Sequence, residues 1–585
     1  MRKFLTLLIA VCMLAVPFGT AFATSEVAAY TPGTYTAEAF GNIGPIAVTV
    51  VFDETSIVSV EITDHKETLL ISEPAIELLP TAIVEAQSLA IDTVAGATYT
   101  SEGIIDAVTA CAIQAGADMN ALFGITDRSV EVLVVGGGLA GMVSAISAAE
   151  SGAQVLLIEK MPVVGGTTAT AGGGLIAVEV PVELDFDNSI DRMMPFWENT
   201  AKIEPKGQDI YPDFDRASVM LAKTGETIEY LSALGVPFAE KYSESAAYAS
   251  RSVVGGGAAL MASLRQIALD KGVEIIVNCK AESLIVEDDA VVGVLATTPD
   301  GTLAISAKGV VLATGGFIAS PEMLAEYIPE TANLHLPIRG SVGNTGDGMR
   351  MAEAIGAGTF ENYWIATASI TFSSEYAHAL GLTTLSSPGS AKMGLNTQLA
   401  VNAKGERFMS ERNAAGAALV NTLMYEGNGP HYFIFDSSNP ENLDALEIGV
   451  ALGETVKGET IEALATEIGA DPAVLTATFD KYGEAVAAGE DAEFGKDAEY
   501  LVAYGDGPYY GVKIYPSGWG TMGGVQTDID GRVIREDGSV IKGLYAAGEM
   551  SNRYFYGQAY VGGASLALYS TVGRIVGATV VADSK

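Results

Sequence analysis

The stretch Val130-Glu131-Val132-Leu133-Val134-Val135-Gly136-Gly137-Gly138-Leu139-Ala140-Gly141 decides the fold of most of this chain. Its first half is almost continuously apolar, which is typical of a parallel strand covered on both faces. A G-x-G-x-x-G turn follows at Gly136, Gly138 and Gly141, and the alanine-rich segment from Met142 to Ser151 predicts a helix. Such glycines allow a tight turn and let the backbone approach a pyrophosphate at the helix N-terminus.

The next strand completes the unit. It runs from Gln154 to Ile158, and Glu159 stands at its end, 18 residues after Gly141. A carboxylate about 20 residues beyond the turn can hold ribose hydroxyls. Because strand, turn, helix and second strand are all present, the sequence predicts a Rossmann-like α/β domain that binds a dinucleotide.

The region before Val130 has a different pattern. Three β-branched stretches between Gly33 and Ile62 alternate with turn residues, which predicts antiparallel strands. Helical periodicity follows from Glu73 to Ser88 and from Ser101 to Phe123, with a cap near Thr100 or Ser101 and a stop at Gly124. We therefore expect a small α+β domain ahead of the dinucleotide-binding domain.

Length and charge limit the possible classes of protein. A chain of 585 residues predicts two to four domains. Its 32 basic and 72 acidic residues give a net charge of −40, which repels phosphate backbones, so we expect no nucleic acid partner. A solvated acidic surface is the simplest interpretation of this excess.

The N-terminus has the three parts of a secretory signal. They are a charged start at Arg2 and Lys3, an apolar run from Phe4 to Val16, and the small-residue site Ala21-Phe22-Ala23. A membrane anchor is the alternative, but Pro17 cuts the apolar run below the roughly 20 residues that span a bilayer. We expect a signal peptide over 1–23 and a secreted or extracytoplasmic protein, in the periplasm or at the cell surface.

Cysteine and histidine spacing predicts no metal site. Beyond the signal there are two cysteines, Cys111 and Cys279, without the spacing of iron–sulfur, zinc or haem ligands. The four histidines show no ligand spacing either. Organic cofactors must therefore carry any electrons, and we expect both cysteines to be buried and free.

A short loop before the second predicted helix has hydroxyl and small side chains. It reads Asp92-Thr93-Val94-Ala95-Gly96-Ala97-Thr98, and an ordinary helix N-cap is one interpretation. The loop also resembles the D-x-x-[ST]-G-A-T motif of FMN-binding domains, with Ala95 as a departure, and the resemblance spans residues 31–123. It implies that a separate flavin transferase attaches FMN covalently to Thr98 through a phosphoester.

Further motifs follow Glu159 in a fixed order. They are Gly165-Gly166-Thr167-Thr168, Gly172-Gly173-Gly174, Ala313-Thr314-Gly315-Gly316-Phe317, Thr345-Gly346-Asp347-Gly348, Val401-Asn402-Ala403-Lys404-Gly405-Glu406-Arg407-Phe408, Thr521-Met522-Gly523-Gly524 and Gly543-Leu544-Tyr545-Ala546-Ala547-Gly548-Glu549. Together with the glycine turn they resemble the FAD-dependent fumarate reductase/succinate dehydrogenase flavoprotein family, which includes fumarate and urocanate reductases and ketosteroid dehydrogenases.

This resemblance implies non-covalent FAD and a split domain. The expected layout is an FMN-binding domain at 31–124, FAD-binding parts at 128–362 and 518–585, and an inserted α+β capping domain at 363–517. The residues implied in FAD binding are Gly136, Gly138, Gly141, Glu159, Gly166, Thr167, Thr168, Gly173, Ala313, Thr314, Gly315, Asp347, Glu549, Ser565 and Leu566.

The chain departs from the fumarate reductases where those enzymes bind and protonate a dicarboxylate. The family histidine before Thr-Met-Gly-Gly falls on Gly520, and the arginine before Leu-Gly-Gly falls on Tyr560. The arginine that acts as catalytic acid falls on Ala415. Fixed cations recognise anionic oxygens, so fumarate is not the expected substrate.

Two residues are candidates for catalysis. Ketosteroid dehydrogenases carry a tyrosine in the region of Tyr560, where its hydroxyl donates to the carbonyl oxygen of an enone, although Tyr560 can also be a packing aromatic. Arg412 is the alternative proton donor, with a surface ion pair as its simpler role. Tyr554, Tyr556 and His378 are weaker candidates.

The expected function is an exported ene-reductase. Electrons enter at FMN from a membrane or extracellular donor, pass to FAD, and reduce an activated C=C bond of a small molecule, an enone or an unsaturated acid other than fumarate. Two alternatives stay open, namely a ketosteroid-type dehydrogenase running oxidatively and a two-flavin electron carrier.

Overall fold

The computed structural model describes residues 30–68, 71–201, 212–245, 247–299, 301–331, 334–382, 393, 396–411, 417–427, 429–557 and 559–585. These residues belong to two compact units, one ending at Thr126 and one beginning at Asp127. The predicted signal peptide at 1–23 lies outside the described residues.

The first unit is a small α+β fold. Its elements are β1 (Gly33–Phe40), β2 (Pro45–Phe52), β3 (Ile57–Asp64), α1 (Glu73–Ala86), α2 (Thr98–Gln114) and α3 (Met119–Leu122). The three strands pair antiparallel in chain order. Every second residue of β2 is buried, from Ile46 to Phe52, and these side chains share a core with Ile104 and Val108 of α2. The alternating apolar side chains of β2 therefore pack against the apolar face of α2.

The ends predicted for the second helix were wrong. α2 begins at Thr98, and the Ser101 hydroxyl in its first turn donates to the Ala97 carbonyl at 2.9 Å and accepts from the Val94 amide at 3.1 Å. Ser101 thus ties the preceding loop to the helix instead of capping it. The helix ends at Gln114, and Gly116 follows with φ +75°, a conformation that glycine adopts without strain.

A large sheet organises the second unit. Its strands are β4 (Ile125–Val135), β5 (Val155–Ile158), β9 (Glu274–Ile276), β10 (Lys280–Glu287), β11 (Ala290–Thr298), β12 (Gly301–Leu312), β18 (Arg532–Ile534) and β19 (Val540–Ala546). The order is β10-β11-β19-β12-β4-β5-β9, with β18 beside β19. β4, β5 and β9 are parallel, as are β12 and β19, whereas β10, β11 and β12 are antiparallel neighbours.

Two helices pack closely together in this unit. They are α4 (Leu139–Glu150) and α16 (Ala564–Asp583). A Cβ added at Gly573 would lie 2.7 Å from the Ala140 carbonyl oxygen, and one at Gly577 would lie 2.3 Å from that of Ser144. Glycine at these two positions therefore allows the close approach that buries both apolar helices. Among the described helices α16 alone is long and apolar enough to cross a membrane, but 61% of its apolar window is buried, as in a core helix.

Smaller elements cover this sheet. They are β6 (Gly174–Ala177), β7 (Ser243–Glu244), β8 (Ala249–Ser252), α5 (Ile190–Ala201), α6 (Phe214–Leu221), α7 (Thr224–Ala233), α8 (Gly256–Asp270), α9 (Pro321–Tyr327) and α10 (Asp347–Glu353). The three strands form their own antiparallel sheet in the order β6-β8-β7. Cys279 is buried and free in this unit, as Cys111 is in the first unit, which confirms the expectation for both.

The segment between the two parts of the large sheet forms a second sheet with helices. Its elements are β13 (Trp364–Thr371), β14 (Leu399–Val401), β15 (His431–Asp436), β16 (Thr455–Gly458), β17 (Tyr509–Met522), α11 (Ser374–Ala379), α12 (Ala417–Glu426), α13 (Pro440–Leu452), α14 (Ile461–Ile468) and α15 (Pro472–Ala488). The strand order is β13-β17-β15-β14, with β16 beside β17. Trp364, which begins β13, pairs with Met522, which ends β17, so the chain enters and leaves this segment at one place.

Candidate active site

A cavity opens at the carboxyl ends of β4, β5 and β12. Its empty space amounts to about 800 Å³, including the part open to solvent. The predicted residues that line it are Gly136, Gly138, Glu159, Gly166, Thr167, Thr168, Ala313, Thr314, Gly315, Asp347 and Glu549. The structure thus brings to one cavity residues that are separated by more than 400 positions in the sequence.

The three glycines of the turn have different surroundings. A Cβ at Gly136 would lie 2.4 Å from the Ala313 carbonyl oxygen, and one at Gly141 would lie 2.0 Å from that of Gly136. A Cβ at Gly138 would meet nothing within 4 Å. Gly136 and Gly141 therefore permit backbone packing, and Gly138 leaves open space at the N-terminus of α4, where a phosphate is stabilised by the helix dipole.

The Glu159 carboxylate is held rigidly at the end of β5. It is buried, with Oε2 accepting from the Gly137 amide at 2.7 Å and Oε1 accepting from the Met161 amide at 2.8 Å. These bonds fix the acid on the cavity wall next to the glycine turn. The placement suits a carboxylate that accepts from ribose hydroxyls.

A lysine that the sequence analysis missed lies beside the predicted Asp347. The Lys160 ammonium is 2.5 Å from Asp347 Oδ2 and 2.5 Å from Thr345 Oγ1, and both Lys160 and Asp347 line the cavity. Its position directly after Glu159 in the sequence could have indicated that Lys160 lies at the same cavity. Lys160 is a cation on the wall of a cavity that would receive a diphosphate, and its ion pair with Asp347 fixes its position.

Another wall comes from the loop before α10 and the short 3₁₀ helix Gly166–Thr170. Thr167 Oγ1 accepts from the Ser341 amide at 3.0 Å, and the Asn344 amide nitrogen lies 3.4 Å from both Thr167 Oγ1 and Glu549 Oε2. Ser341 and Asn344 were not predicted. Asn344 connects the predicted Thr167 and Glu549 across the cavity, and Ser341 holds the Thr167 hydroxyl from the same loop.

Glu549 faces the same cavity from the chain's last part. Its Oε1 accepts from the Thr521 amide at 2.6 Å and from the Thr521 hydroxyl at 3.2 Å. Removal from solvent raises the pKa of Glu549 to about 7, although the Thr521 bonds act in the opposite direction. A carboxyl with such a pKa can exchange a proton near neutral pH.

Tyr560 belongs to a group of tyrosines around one serine hydroxyl. The Tyr556 hydroxyl lies 2.9 Å from Ser565 Oγ, and the rings of Tyr556 and Tyr560 are 5.7 Å apart. Burial raises the pKa of Tyr560, while hydrogen bonding to Ser565 lowers it. Tyr569, which lines the cavity, accepts from the Asn552 side-chain amide at 2.7 Å. The predicted catalytic phenol therefore belongs to a tyrosine group of which one member, Tyr569, lines the cavity.

Several predicted residues lie elsewhere. Gly141 and Gly173 pack against backbone, the latter with a Cβ position 2.7 Å from the Gly256 Cα, and neither lines the cavity. Ser565 and Leu566 lie in the first turn of α16 and do not line the cavity. Arg412 and Ala415 lie outside the described residues. His378 is exposed on α11, and Tyr554 is buried with its hydroxyl bonded to Thr527.

In the first unit, Thr98 is exposed at the first position of α2. The first turn of α2 is supported by the buried Glu67, whose carboxylate accepts from the Thr100 hydroxyl at 2.5 Å and from the Ile43 amide at 2.8 Å. The Thr98 hydroxyl is thus accessible on a rigid helix start. A phosphoester there would place its negative charge at the positive end of the helix dipole.

Both sites fit their flavins. The second unit offers a glycine cradle, a fixed ribose-binding acid and a cation, and the first offers an exposed threonine at a helix N-terminus. A family described as FAD binding domain matches residues 131–566, more than half of the chain. The chain belongs to this family. A second family, FMN-binding domain, matches residues 41–112. The expected resemblance is confirmed, and the chain is an oxidoreductase that uses FAD and FMN.

Two relatives extend over most of the chain. Urocanate reductase of Eggerthella lenta is 30% identical and covers 94% of this chain and 92% of its own length. NADH:acrylate oxidoreductase of Vibrio harveyi is 28% identical over 94% of this chain. This chain spans only 61% of the length of the Vibrio harveyi protein.

A solved structure has the expected α/β architecture. It is the open conformation of a flavocytochrome c3 fumarate reductase, which is 25% identical, with a TM-score of 0.61 over 90% of this chain and 88% of its own. The fold class is therefore confirmed as an FAD-binding α/β fold with a capping segment.

Proposed function

We propose that this flavoprotein reduces an activated carbon–carbon double bond of a small molecule other than fumarate. The observation that carries the proposal is the group of Tyr556, Tyr560 and Tyr569, in which Tyr569 lines the FAD cavity and the rings of Tyr556 and Tyr560 lie 5.7 Å apart. Relatives named as reductases of acrylate and urocanate support the reaction class. When bound, FAD supplies hydride chemistry at carbon and FMN supplies electron transfer.

The neutral phenol of Tyr560 suits a substrate carbonyl. Because burial raises its pKa, Tyr560 keeps its proton at neutral pH and can donate a hydrogen bond to an oxygen that gains negative charge during reduction. The second buried hydroxyl, on Tyr556, keeps Ser565 oriented. In this proposal Tyr560 polarises the double bond through the conjugated oxygen and supplies or relays the proton, with Arg412 as the other candidate donor.

Gly520 supports the exclusion of fumarate. Its Cβ position lies within 2.6 Å of both carboxylate oxygens of Glu549, so a histidine there would require Glu549 to move. Tyr560 likewise replaces a cation with a neutral donor. A dicarboxylate would lose two of the charged partners that it meets in fumarate reductases.

The route of electrons is also part of the proposal. FMN attached at Thr98 by a flavin transferase would accept electrons from a membrane or extracellular donor and pass them to FAD. A covalent tether keeps the carrier with the enzyme after export, which agrees with the signal peptide expected at 1–23 and an extracytoplasmic location.

One further candidate function is specifically favoured by Tyr560. A phenol beside a flavin also suits oxidation of a saturated ketone, as the resemblance to ketosteroid dehydrogenases implies. A two-flavin carrier without a substrate is the remaining alternative.

The test is anaerobic reoxidation of the chemically reduced holoenzyme, followed at the flavin absorption band. The oxidants are fumarate, a series of unsaturated monocarboxylic acids and a series of enones. We expect rapid reoxidation by at least one acid or enone and none by fumarate. Bleaching of the oxidised flavin by a saturated ketone would instead support the dehydrogenase. If no substrate reoxidises or reduces the flavin, the two-flavin electron carrier is supported.

Matched variants connect the result to the site. Tyr560→Phe removes only the hydroxyl and should slow substrate reoxidation about 100-fold. Tyr500→Phe is the control, because Tyr500 lies in the short helix Ala498–Tyr500 and does not line the cavity. Equal rates of substrate reoxidation in the two variants would show that Tyr560 has no role in the reaction.

A further inference from the structure

Three large apolar side chains are exposed at one end of the first unit. They are Phe40, at the end of β1, Ile43, in the turn between β1 and β2, and Tyr99, in the first turn of α2, and each is more than half exposed. Single apolar residues are normal on a surface, whereas several together mark a contact surface. The packing of the turn against α2 decides which of these applies.

Glu67 ties the turn to the helix. Its buried carboxylate accepts from the Ile43 amide at 2.8 Å through one oxygen and from the Thr100 hydroxyl at 2.5 Å through the other. A Cβ at Gly103 would lie 2.9 Å from the backbone of the turn, so the turn also touches α2 further along. The three apolar residues therefore lie beside the exposed Thr98, and we call these four residues the Thr98 face.

Carboxylates lie next to this face along α2. Glu102 and Asp106 follow Thr98 at intervals of four residues, so the three side chains lie on one side of the helix, and all three are exposed. Asp92 is exposed in the loop before the helix. The Thr98 face thus has an apolar centre and a negatively charged rim.

The first unit is more acidic than the rest of the chain. Residues 30–126 contain 13 acidic residues and one basic residue, Lys66, whereas residues 127–585 contain 58 acidic and 29 basic residues. Lys66 is exposed, and its Cβ lies 3.4 Å from the Cβ position of Gly44 in the turn. A solvated acidic surface on the whole chain does not account for this difference between the two units.

We propose that the Thr98 face is the docking surface for a basic protein that exchanges electrons with FMN. An apolar centre within a polar rim is the pattern of a specific protein interface, and electron-transfer complexes are at the small end of the size range. Opposite charge on the partner speeds encounter, while the same rim repels an anionic membrane or a second copy of this chain. The direction of electron flow rests on the function proposed above, but docking does not, because it is measured without an alkene.

The experiment is electron transfer from the chemically reduced holoenzyme to a ferric cytochrome, followed anaerobically at the haem band. The probes are a basic cytochrome c and an acidic cytochrome b5. Each reduced FMN gives one electron to each of two ferric haems and releases its protons to solvent. Transfer to cytochrome c should fall at least about 10-fold between about 0.02 M and 0.5 M salt, and transfer to cytochrome b5 should rise. Thr98→Ala, without FMN, should lose most of the transfer.

Charge variants locate the surface. Glu102→Lys and Asp106→Lys should slow transfer to cytochrome c about 10-fold at low salt and leave it unchanged at high salt. Lys66→Gln should speed it several-fold, which a folding defect would not do. Glu54→Lys is the matched control, because Glu54 is exposed in the turn at the other end of β2, about 25 Å away.

Apolar variants test the centre of the face. Tyr99→Ser and Ile43→Ser should slow transfer about 3- to 10-fold at low and at high salt, because salt does not screen apolar contacts. Val58→Ser is the control, since Val58 is exposed on β3 near the opposite end of the unit. Rates are expressed per FMN, measured by mass spectrometry, so that incomplete attachment does not imitate weak docking.

Cross-linking maps the same surface without FMN. A carbodiimide joins a carboxylate to a lysine in contact with it, with loss of water. In Thr98→Ala mixed with cytochrome c, peptide mass spectrometry should find links at Glu102 and Asp106, few at Glu54, and none of them at high salt. Equal linking at the three positions, or equal rates in Glu102→Lys and Glu54→Lys, would show that only net charge matters and overturns the proposal.

Two other occupants are outcomes that also overturn it. Binding of the holoenzyme to phosphatidylglycerol vesicles that Tyr99→Ser abolishes would assign the face to a membrane. A dimer in sedimentation velocity that Tyr99→Ser dissociates would assign it to a second copy. If the charge variants behave as expected but no alkene reoxidises the flavin, the docking surface stands and the ene-reductase fails; reoxidation by an alkene with unaltered transfer in the variants gives the reverse.

Discussion

The carboxylate of Glu549 fills the space beside Gly520, because a Cβ added at Gly520 would lie 2.4 Å from Oε1 and 2.6 Å from Oε2. Glu549 is held there by the Thr521 amide at 2.6 Å. A side chain at residue 520 must therefore displace an acid that faces the FAD cavity.

Gly520→Ala should impair FAD retention. Overpacking of this kind costs about 1–3 kcal/mol, and here the strain falls on a cavity residue. We expect a lower FAD content after gel filtration and a lower Tm of the holoenzyme. Gly483→Ala is the matched control, since a Cβ in the middle of α15 meets nothing within 4 Å and alanine favours a helix. Identical FAD contents in the two variants would contradict the clash.

Glu549 should make the stability of the FAD-free protein depend on pH. The pKa of Glu549 is raised from 4.5 to about 7 in the folded protein. Between these values the folded protein binds a proton that the unfolded chain lacks, so the free energy of unfolding should rise as the pH falls from about 7 to about 4.5. Above pH 7 this contribution should be constant.

The measurement is denaturant unfolding of the FAD-free wild type and of Glu549→Gln from pH 5 to pH 8. The glutamine cannot titrate, so the difference between the two proteins should change across this window. If the free energies of unfolding of the two proteins change in parallel with pH, Glu549 has an ordinary pKa.

Lys160 should contribute to FAD affinity through its charge. Lys160→Gln removes a cation that lies 2.5 Å from Asp347 on the cavity wall. Charge-assisted hydrogen bonds contribute about 1.5–3 kcal/mol, so FAD should bind about 10- to 100-fold more weakly. Equilibrium titration of the FAD-free protein gives this value. Lys271→Gln is the control, because Lys271 pairs with Glu150 away from the cavity, and a loss of the same size in that variant would argue against a specific role.

Sequence could place residues in one cavity where a single short motif contains the whole geometry. Gly138 and Glu159 both line the cavity, because strand, turn and helix follow one another along the chain. Gly141 and Gly173 match the same motifs but pack against backbone. A glycine that faces a ligand and one that faces a carbonyl oxygen cannot be distinguished by sequence alone.

The residues that the sequence analysis missed depend on contacts between distant segments. Asn344 bridges Thr167 and Glu549, and Ser341 donates its amide to Thr167 Oγ1. No local sequence pattern indicates these contacts, since they are set by how the loop before α10 packs against residues that are distant in the sequence. The helix ends around Thr98 were missed for a related reason, because Ser101 bonds backward to the loop.

Thr98→Ala should remove covalent FMN and leave FAD in place. Thr98 is exposed, so the substitution should change the free energy of unfolding by less than about 0.5 kcal/mol. Mass spectrometry of protein made together with a flavin transferase should show the mass of one FMN in the wild type and none in the variant. Thr93→Ala, in the same exposed loop, should keep the added mass. FMN that remains bound covalently after Thr98→Ala would place the linkage at another residue.

Ser565→Ala should change the pH dependence of the reaction as well as its rate. The Ser565 hydroxyl lies 2.9 Å from that of Tyr556 and lowers the pKa of Tyr560 by hydrogen bonding. Without it the pKa of Tyr560 rises further, and a reaction that needs the protonated phenol should keep its rate to higher pH. The maximal rate should fall about 10-fold, because the ring of Tyr560 is no longer held.

The pH profile of kcat separates this role from a packing defect. Ser570→Ala is the control, since Ser570 is buried one turn further along α16 and bonds only to the Leu566 carbonyl, at 2.8 Å. A simple packing defect lowers the rate equally at every pH and leaves the alkaline limb in place. A shift of that limb in Ser565→Ala alone, absent from Tyr560→Phe, requires that the serine acts through the Tyr560 hydroxyl.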